Sequence, residues 1–169
     1  MYLLDANVFI EAKNRYFGFD ICPGFWEWLP QRYEAGIVFS VDAVRTELLR
    51  GNDQLADWVK MLPSSFFLSP EAATTPYLSR LSQWANDPIQ RFQPNAIATF
   101  LRSADYLLIA QAAQRQFIVV TQERPDPNAR KRIVIPESCQ LFVVLFLSPF
   151  ELVRRDWLRL LLVQLAYPR

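Results

Sequence analysis

A chain of 169 residues, half of them apolar and with a formal charge of +1, suits one domain and can bury a core without disulfides or a structural metal. It has no histidine and only two cysteines, Cys22 and Cys139, far apart in sequence. That excludes Ser-His-Asp and Cys-His nucleophilic machinery and gives little support to a zinc site or a disulfide framework. Hydrolytic chemistry would have to rest on carboxylates, lysine, tyrosine or a metal held through oxygen.

The predicted elements alternate. Tyr2–Leu4, Ile37–Phe39, Phe117–Val120 and Leu141–Phe146 are short apolar runs, read as strands of a parallel sheet covered on both faces. Between them, helical spacing is seen over Phe25–Tyr33, over Val41–Arg50 with Gly51 as a C-terminal cap, and over Ala104–Arg115 with Ser103 as N-cap. Pro63–Pro94, with five prolines, is read as short helices joined by kinks that form a flap over a site. Phe150–Tyr167 is a strongly apolar helix candidate. The expected class is α/β, a three-layer α/β/α fold with a mostly parallel central sheet. It is read as one domain over 1–169, with a core of 1–150 and a C-terminal helical extension of 151–169.

Charge is divided unevenly. Residues 1–100 carry 8 basic and 11 acidic side chains, and residues 101–169 carry 10 and 6. No basic region precedes an apolar stretch at the N-terminus, and no apolar run approaches the length of a bilayer span, so a cytoplasmic protein without membrane contact is expected.

Four acids share one logic. Asp5 follows the first strand, Glu47 lies in the helix after the second, Asp105 opens a helix, and Glu123 follows the fourth apolar run. Groups at the carboxyl ends of parallel strands converge on one crevice. Carboxylates brought together there repel one another, and a hard divalent cation, Mg²⁺ or Mn²⁺, relieves that repulsion through oxygen ligands. Each acid also has an ordinary role to play. Asp5 suits a turn, Glu47 a surface pair with Arg50, Asp105 the positive end of a helix, and Glu123 an exposed loop.

The blocks Tyr2–Ile10, Gly24–Leu29, Val44–Leu48, Ala104–Ala110, Val119–Glu123 and Ile133–Pro136, followed by Cys139, resemble in this order the PIN-like superfamily, in particular a compact prokaryotic branch of it. The resemblance extends to about Phe150. It implies a metal-dependent ribonuclease that hydrolyses RNA phosphodiester bonds, with Asp5, Glu47 and Asp105 as metal-site residues and Glu123 as a fourth. Asn7 and Thr121 match supporting positions. Two departures stand out: Glu123 where the family generally has Asp, and Tyr106-Leu107 where this branch tends to show Pro-Trp. Many such proteins are toxins, which implies an antitoxin partner. The alternative is a catalytically inactive PIN-like module that binds RNA or protein.

RNA contacts would come from the loop after Glu123, through Arg124, Arg130, Lys131 and Arg132, with Lys13 and Arg15 as a second set. Phe25, Trp26 and Trp28 read as packing more than as base-stacking rings. The apolar content around Trp157–Leu165 exceeds one buried stripe and favours a homodimer if exposed. A haloacid-dehalogenase type phosphatase needs a second acid two residues after Asp5, where this chain has Asn7. A nucleotide-binding glycine loop is also lacking.

Overall fold

The computed structural model describes residues 1–156. Five parallel strands form the central sheet in the order β3-β2-β1-β4-β5. They are β1 (Tyr2–Leu4), β2 (Val38–Val41), β3 (Phe67–Leu68), β4 (Ile118–Val120) and β5 (Phe146–Leu147). β1 lies in the middle, with Tyr2 beside Val38 on one flank and beside Ile118 on the other. Leu3, Leu4, Val38, Val41, Val119 and Val120 are wholly buried. Successive side chains on a strand point to opposite faces, so burial of neighbours such as Leu3 and Leu4 requires cover on both sides. Helices supply it, giving a three-layer α/β/α architecture.

The helices are α1 (Ala6–Glu11), α2 (Pro23–Glu34), α3 (Asp42–Leu49), α4 (Gln54–Met61), α5 (Thr75–Asn86), α6 (Pro94–Phe100), α7 (Ala104–Arg115) and α8 (Ile135–Gln140). Residues 149–156 are also helical. A wide π turn, Ala12–Tyr16, extends α1. Asp53 caps α4 by accepting from the amides of Leu55 and Ala56 at 3.0 and 3.1 Å. Phe9 is packed in the core with Trp58 and Phe66 around it.

Several expected boundaries move. α3 ends at Leu49, and the left-handed residue beyond it is Asn52, one position after Gly51. The run Leu141–Phe146 opens as a turn over its first three residues, because Val143 has φ +56° and breaks the extended backbone. Pairing begins only at Phe146. Phe142 instead packs against Tyr77 and Arg80 of α5. The proline-rich stretch does hold short helical turns, at Ser64–Phe66, Ala72–Thr74 and Pro88–Gln90, as expected, but it is more than a flap. It contributes edge strand β3 and the twelve-residue α5, whose Leu81 and Ala85 are buried. Trp26 is buried and Trp28 partly so, and their indole N–H groups donate to the Phe17 carbonyl at 2.6 Å and to Asp156 at 2.8 Å. Beyond 156, the remainder of the expected Phe150–Tyr167 helix and the dimer surface around Trp157–Leu165 lie outside the described residues. No helix among those described is long and apolar enough to cross a membrane.

Candidate functional site

From β1 the chain moves outward through β2 to β3, and then returns to the other side of β1 for β4 and β5. The reversal lies between β1 and β4. At such a switch point the loops leaving adjacent strands part in opposite directions and open a crevice at their carboxyl ends. Asp5 and Thr121 are the first residues past these two strands. The Asp5 amide donates to the Val120 carbonyl at 3.0 Å, and the buried Thr121 hydroxyl donates to Asp5 Oδ2, also at 3.0 Å. On the other flank, the buried Ser40 hydroxyl of β2 donates to the Leu4 carbonyl at 2.7 Å. Asp5 is therefore held from both sides.

Asp5 is almost fully buried yet has only this hydroxyl and the nearby Asn7 amide to favour its charge. Burial pushes its pKa up to about 7, and the charges of Glu123 and Glu47 add to the rise. Asp105 lies in the first turn of α7, where the helix dipole favours a carboxylate. Burial overrides that preference, and repulsion from Asp5, Glu123 and Glu47 reinforces it, so Asp105 is pushed up to about 8 despite Arg132. The four acids thus lie within one electrostatic neighbourhood.

They do not stand alike within it. Glu47 is exposed on α3, beside a cleft of about 410 Å³ that Arg50, Arg102 and Ser103 also line. Glu123 is turned inward on its own loop. One oxygen pairs with Arg132 at 2.9 Å, and the other accepts from the Ile135 amide at 2.7 Å, at the start of α8. Its own amide donates to Thr121 Oγ1 at 3.1 Å. Among the described residues no three acidic or thiol side chains stand together as a ready-made metal cage. Asn7 is exposed, and its backbone amide is the part that bears on Asp5.

The basic residues also divide. Arg132 is engaged by Glu123, and Arg130 donates to the carbonyls of Pro127 and Ala129 within its own loop. Arg124 and Lys131 are exposed and make no ion pair among the described residues. Lys13 pairs with Asp53, and Arg15 with Glu11. Cys139 is buried, and burial raises its thiol to about 12, so it is inert packing.

A sequence profile described as "Domain of unknown function (DUF4411)" matches residues 2–160, nearly the whole chain. The chain belongs to this family. Neither a curated protein nor a solved structure matches it. The matched span of the DUF4411 domain includes Asp5, Glu47, Asp105 and Glu123, together with the hydroxyls of Ser40 and Thr121 that hold the crevice. Ser40 was not singled out by sequence reasoning. Its signal is a lone hydroxyl inside the apolar run Ile37-Val38-Phe39-Ser40-Val41.

Proposed function

We propose that this chain is a Mg²⁺- or Mn²⁺-dependent ribonuclease of the PIN-like kind, with Asp5 and Asp105 as its principal metal-binding carboxylates. The observation that carries the reading is this pair of acids at the switch-point crevice, each raised by burial and by the charges of its neighbours. A fold does not keep two such carboxylates for stability, since their charged forms cost it free energy. The donor set consists of oxygen alone, which suits a hard cation. Mg²⁺ in particular keeps several waters and is commonly held by one or two carboxylates together with substrate phosphates, so a closed cage is not required.

When bound, such a cation supplies Lewis-acid polarisation of a phosphate oxygen and a water that ionises near neutral pH. The chain's own part is positional. Thr121 fixes the Asp5 carboxylate through its hydroxyl, and Ser40 fixes the backbone that precedes it. The first turn of α7 presents Asp105, while Glu47 faces solvent on the flank of α3, where it adds negative charge at the rim. Glu123 shapes the basic loop by holding Arg132 and the Ile135 amide. Arg124 and Lys131 supply exposed positive charge for RNA phosphates. In the toxin role, the partner would be an antitoxin protein.

The engagement of Glu123 favours one rival, a PIN-like module that binds RNA or protein without cutting it. Cleavage of a labelled mixed-sequence RNA in Mn²⁺ or Mg²⁺ separates the two. The nuclease reading expects metal-dependent cutting that Asp5→Asn and Asp105→Asn each reduce by at least about 100-fold, with the fold intact. No cutting by the wild-type chain, together with no metal-induced rise in its melting temperature, would sink it in favour of the module.

A further inference from the structure

A cleft of about 380 Å³ opens beside the carboxylates, between the residues that follow β4 and those that follow β5. Its wall is continuous with the candidate metal site, because Thr121 and Glu123 line it. Tyr16, Phe146 and Phe150 line it as well. Among the described residues these are the three exposed aromatic side chains, at 41%, 37% and 41% exposure. Tyr16 and Phe150 meet edge to face with centroids 5.0 Å apart. Three wet rings gathered at one cleft, while the other aromatics among the described residues are buried or partly so, call for a flat apolar ligand.

Charge narrows the choice. Both acids of the cleft are already engaged, Glu123 with Arg132 and the Ile135 amide, and Glu151 with the amide and hydroxyl of Ser148 at 2.8 Å. Arg124, on the same wall, is exposed and makes no ion pair among the described residues. A flat ring joined to a negative charge meets all of these features. We propose that this cleft is a nucleobase subsite, in which an unpaired base of single-stranded RNA stacks on the Tyr16–Phe150 pair while Arg124 takes the adjoining phosphate. The inference rests on the RNA reading of the neighbouring carboxylates and adds a substrate class to it: the strand must be unpaired here, because a duplex hides the faces of its bases.

The test is binding of a fluorescein-labelled ten-nucleotide single strand in EDTA, where cleavage is halted, beside a blunt ten-base-pair duplex. Tyr16→Ala and Phe150→Ala are each expected to weaken single-strand binding by about 5- to 150-fold, the range for one lost base stack. Tyr16→Phe and Phe150→Tyr should restore most of it, and duplex binding should stay nearly unchanged. A series of strands carrying one abasic position each probes the unaltered protein and should show a loss of similar size at one position. Equal affinity for intact and abasic strands would overturn the subsite, even with metal-dependent cutting intact. Stacking-dependent binding without cutting would keep the subsite and remove the nuclease. Absence of single-strand binding by the wild-type chain would remove the RNA reading and the subsite together. A concentration-dependent dimer lost in Phe146→Ala, with RNA affinity unchanged, would assign the rings to a subunit contact and overturn the proposal.

Discussion

Replacing Asp5 with asparagine removes a charge that the folded chain holds at a cost. Its pKa is about 7 in the fold against an ordinary 3.8, so the native state keeps a proton that the unfolded chain has already released. Stability therefore falls as pH climbs from about 4 to about 7, and the loss is complete above that. The difference of roughly three pKa steps, at about 1.4 kcal/mol each, comes to roughly 4 kcal/mol. Asparagine has nearly the same shape and still accepts from the Thr121 hydroxyl, but its buried amide costs about 1–3 kcal/mol. In EDTA at pH 8 the variant should therefore be the more stable by about 2 kcal/mol, or about 4–8 °C in a thermal melt of a chain this size. At pH 4 the Asp5 cost is nearly gone while the amide cost stays, so the variant should become the less stable by about 1–2 kcal/mol. Saturating Mn²⁺ at pH 8 reverses the order: at about a hundred times its Kd it adds about 2.7 kcal/mol to the wild type and little to the variant. Differential scanning fluorimetry across pH, with and without metal, reads all of this. An Asp5→Asn protein that melts below wild type in EDTA at pH 8 would refute the reasoning, and would make Asp5 a structural acceptor for Thr121.

Asp105→Asn should behave likewise, with its pH-dependent loss extending to about 8, as seen by the same melts. Glu123→Gln removes the Arg132 pair and weakens the charged bond to the Ile135 amide. Hydrogen exchange at Ile135 should then quicken about tenfold or more, with cleavage reduced less than in Asp5→Asn. Trp28→Phe deletes a donor to the buried Asp156, leaving Arg32 at 3.3 Å as its partner. Urea denaturation should show a loss of about 1–3 kcal/mol. Arg124→Ala together with Lys131→Ala should lower RNA affinity and flatten its salt dependence by up to two phosphate contacts; an unchanged slope would remove them from the interface.

Much of the frame was legible from short apolar runs. Tyr2–Leu4 is a strand with the predicted bounds, and β2 and β4 start one residue later than read. These strands are buried on both faces, so their composition alone marks them. β3 escaped because two residues carry no period, even though Phe66-Phe67-Leu68 offered an apolar triplet among the prolines. Leu141–Phe146 misled for the opposite reason. Its apolar side chains serve a turn that packs on α5, which composition cannot distinguish from a strand. At the site, the burial of Asp5 and its tie to Thr121 follow from strand order, but the inward turn of Glu123 does not. It depends on an arginine nine residues further along and on the backbone amide of Ile135. The aromatic cleft was equally hidden, since Tyr16, Phe146 and Phe150 are scattered in sequence and only the turns beyond β4 and β5 gather them.

The place of β1 at the centre of the sheet has a consequence for the newborn chain. Asp5 emerges from the ribosome well ahead of Thr121, its hydrogen-bond partner, which lies 116 positions later. At about 5–20 residues per second, translation takes roughly 6–23 s to cover that interval. Throughout it the first aspartate has no β4 to lie beside and no crevice to face. A chain released before β4 is made therefore lacks the crevice, and whatever this site does begins only after Thr121 has been added.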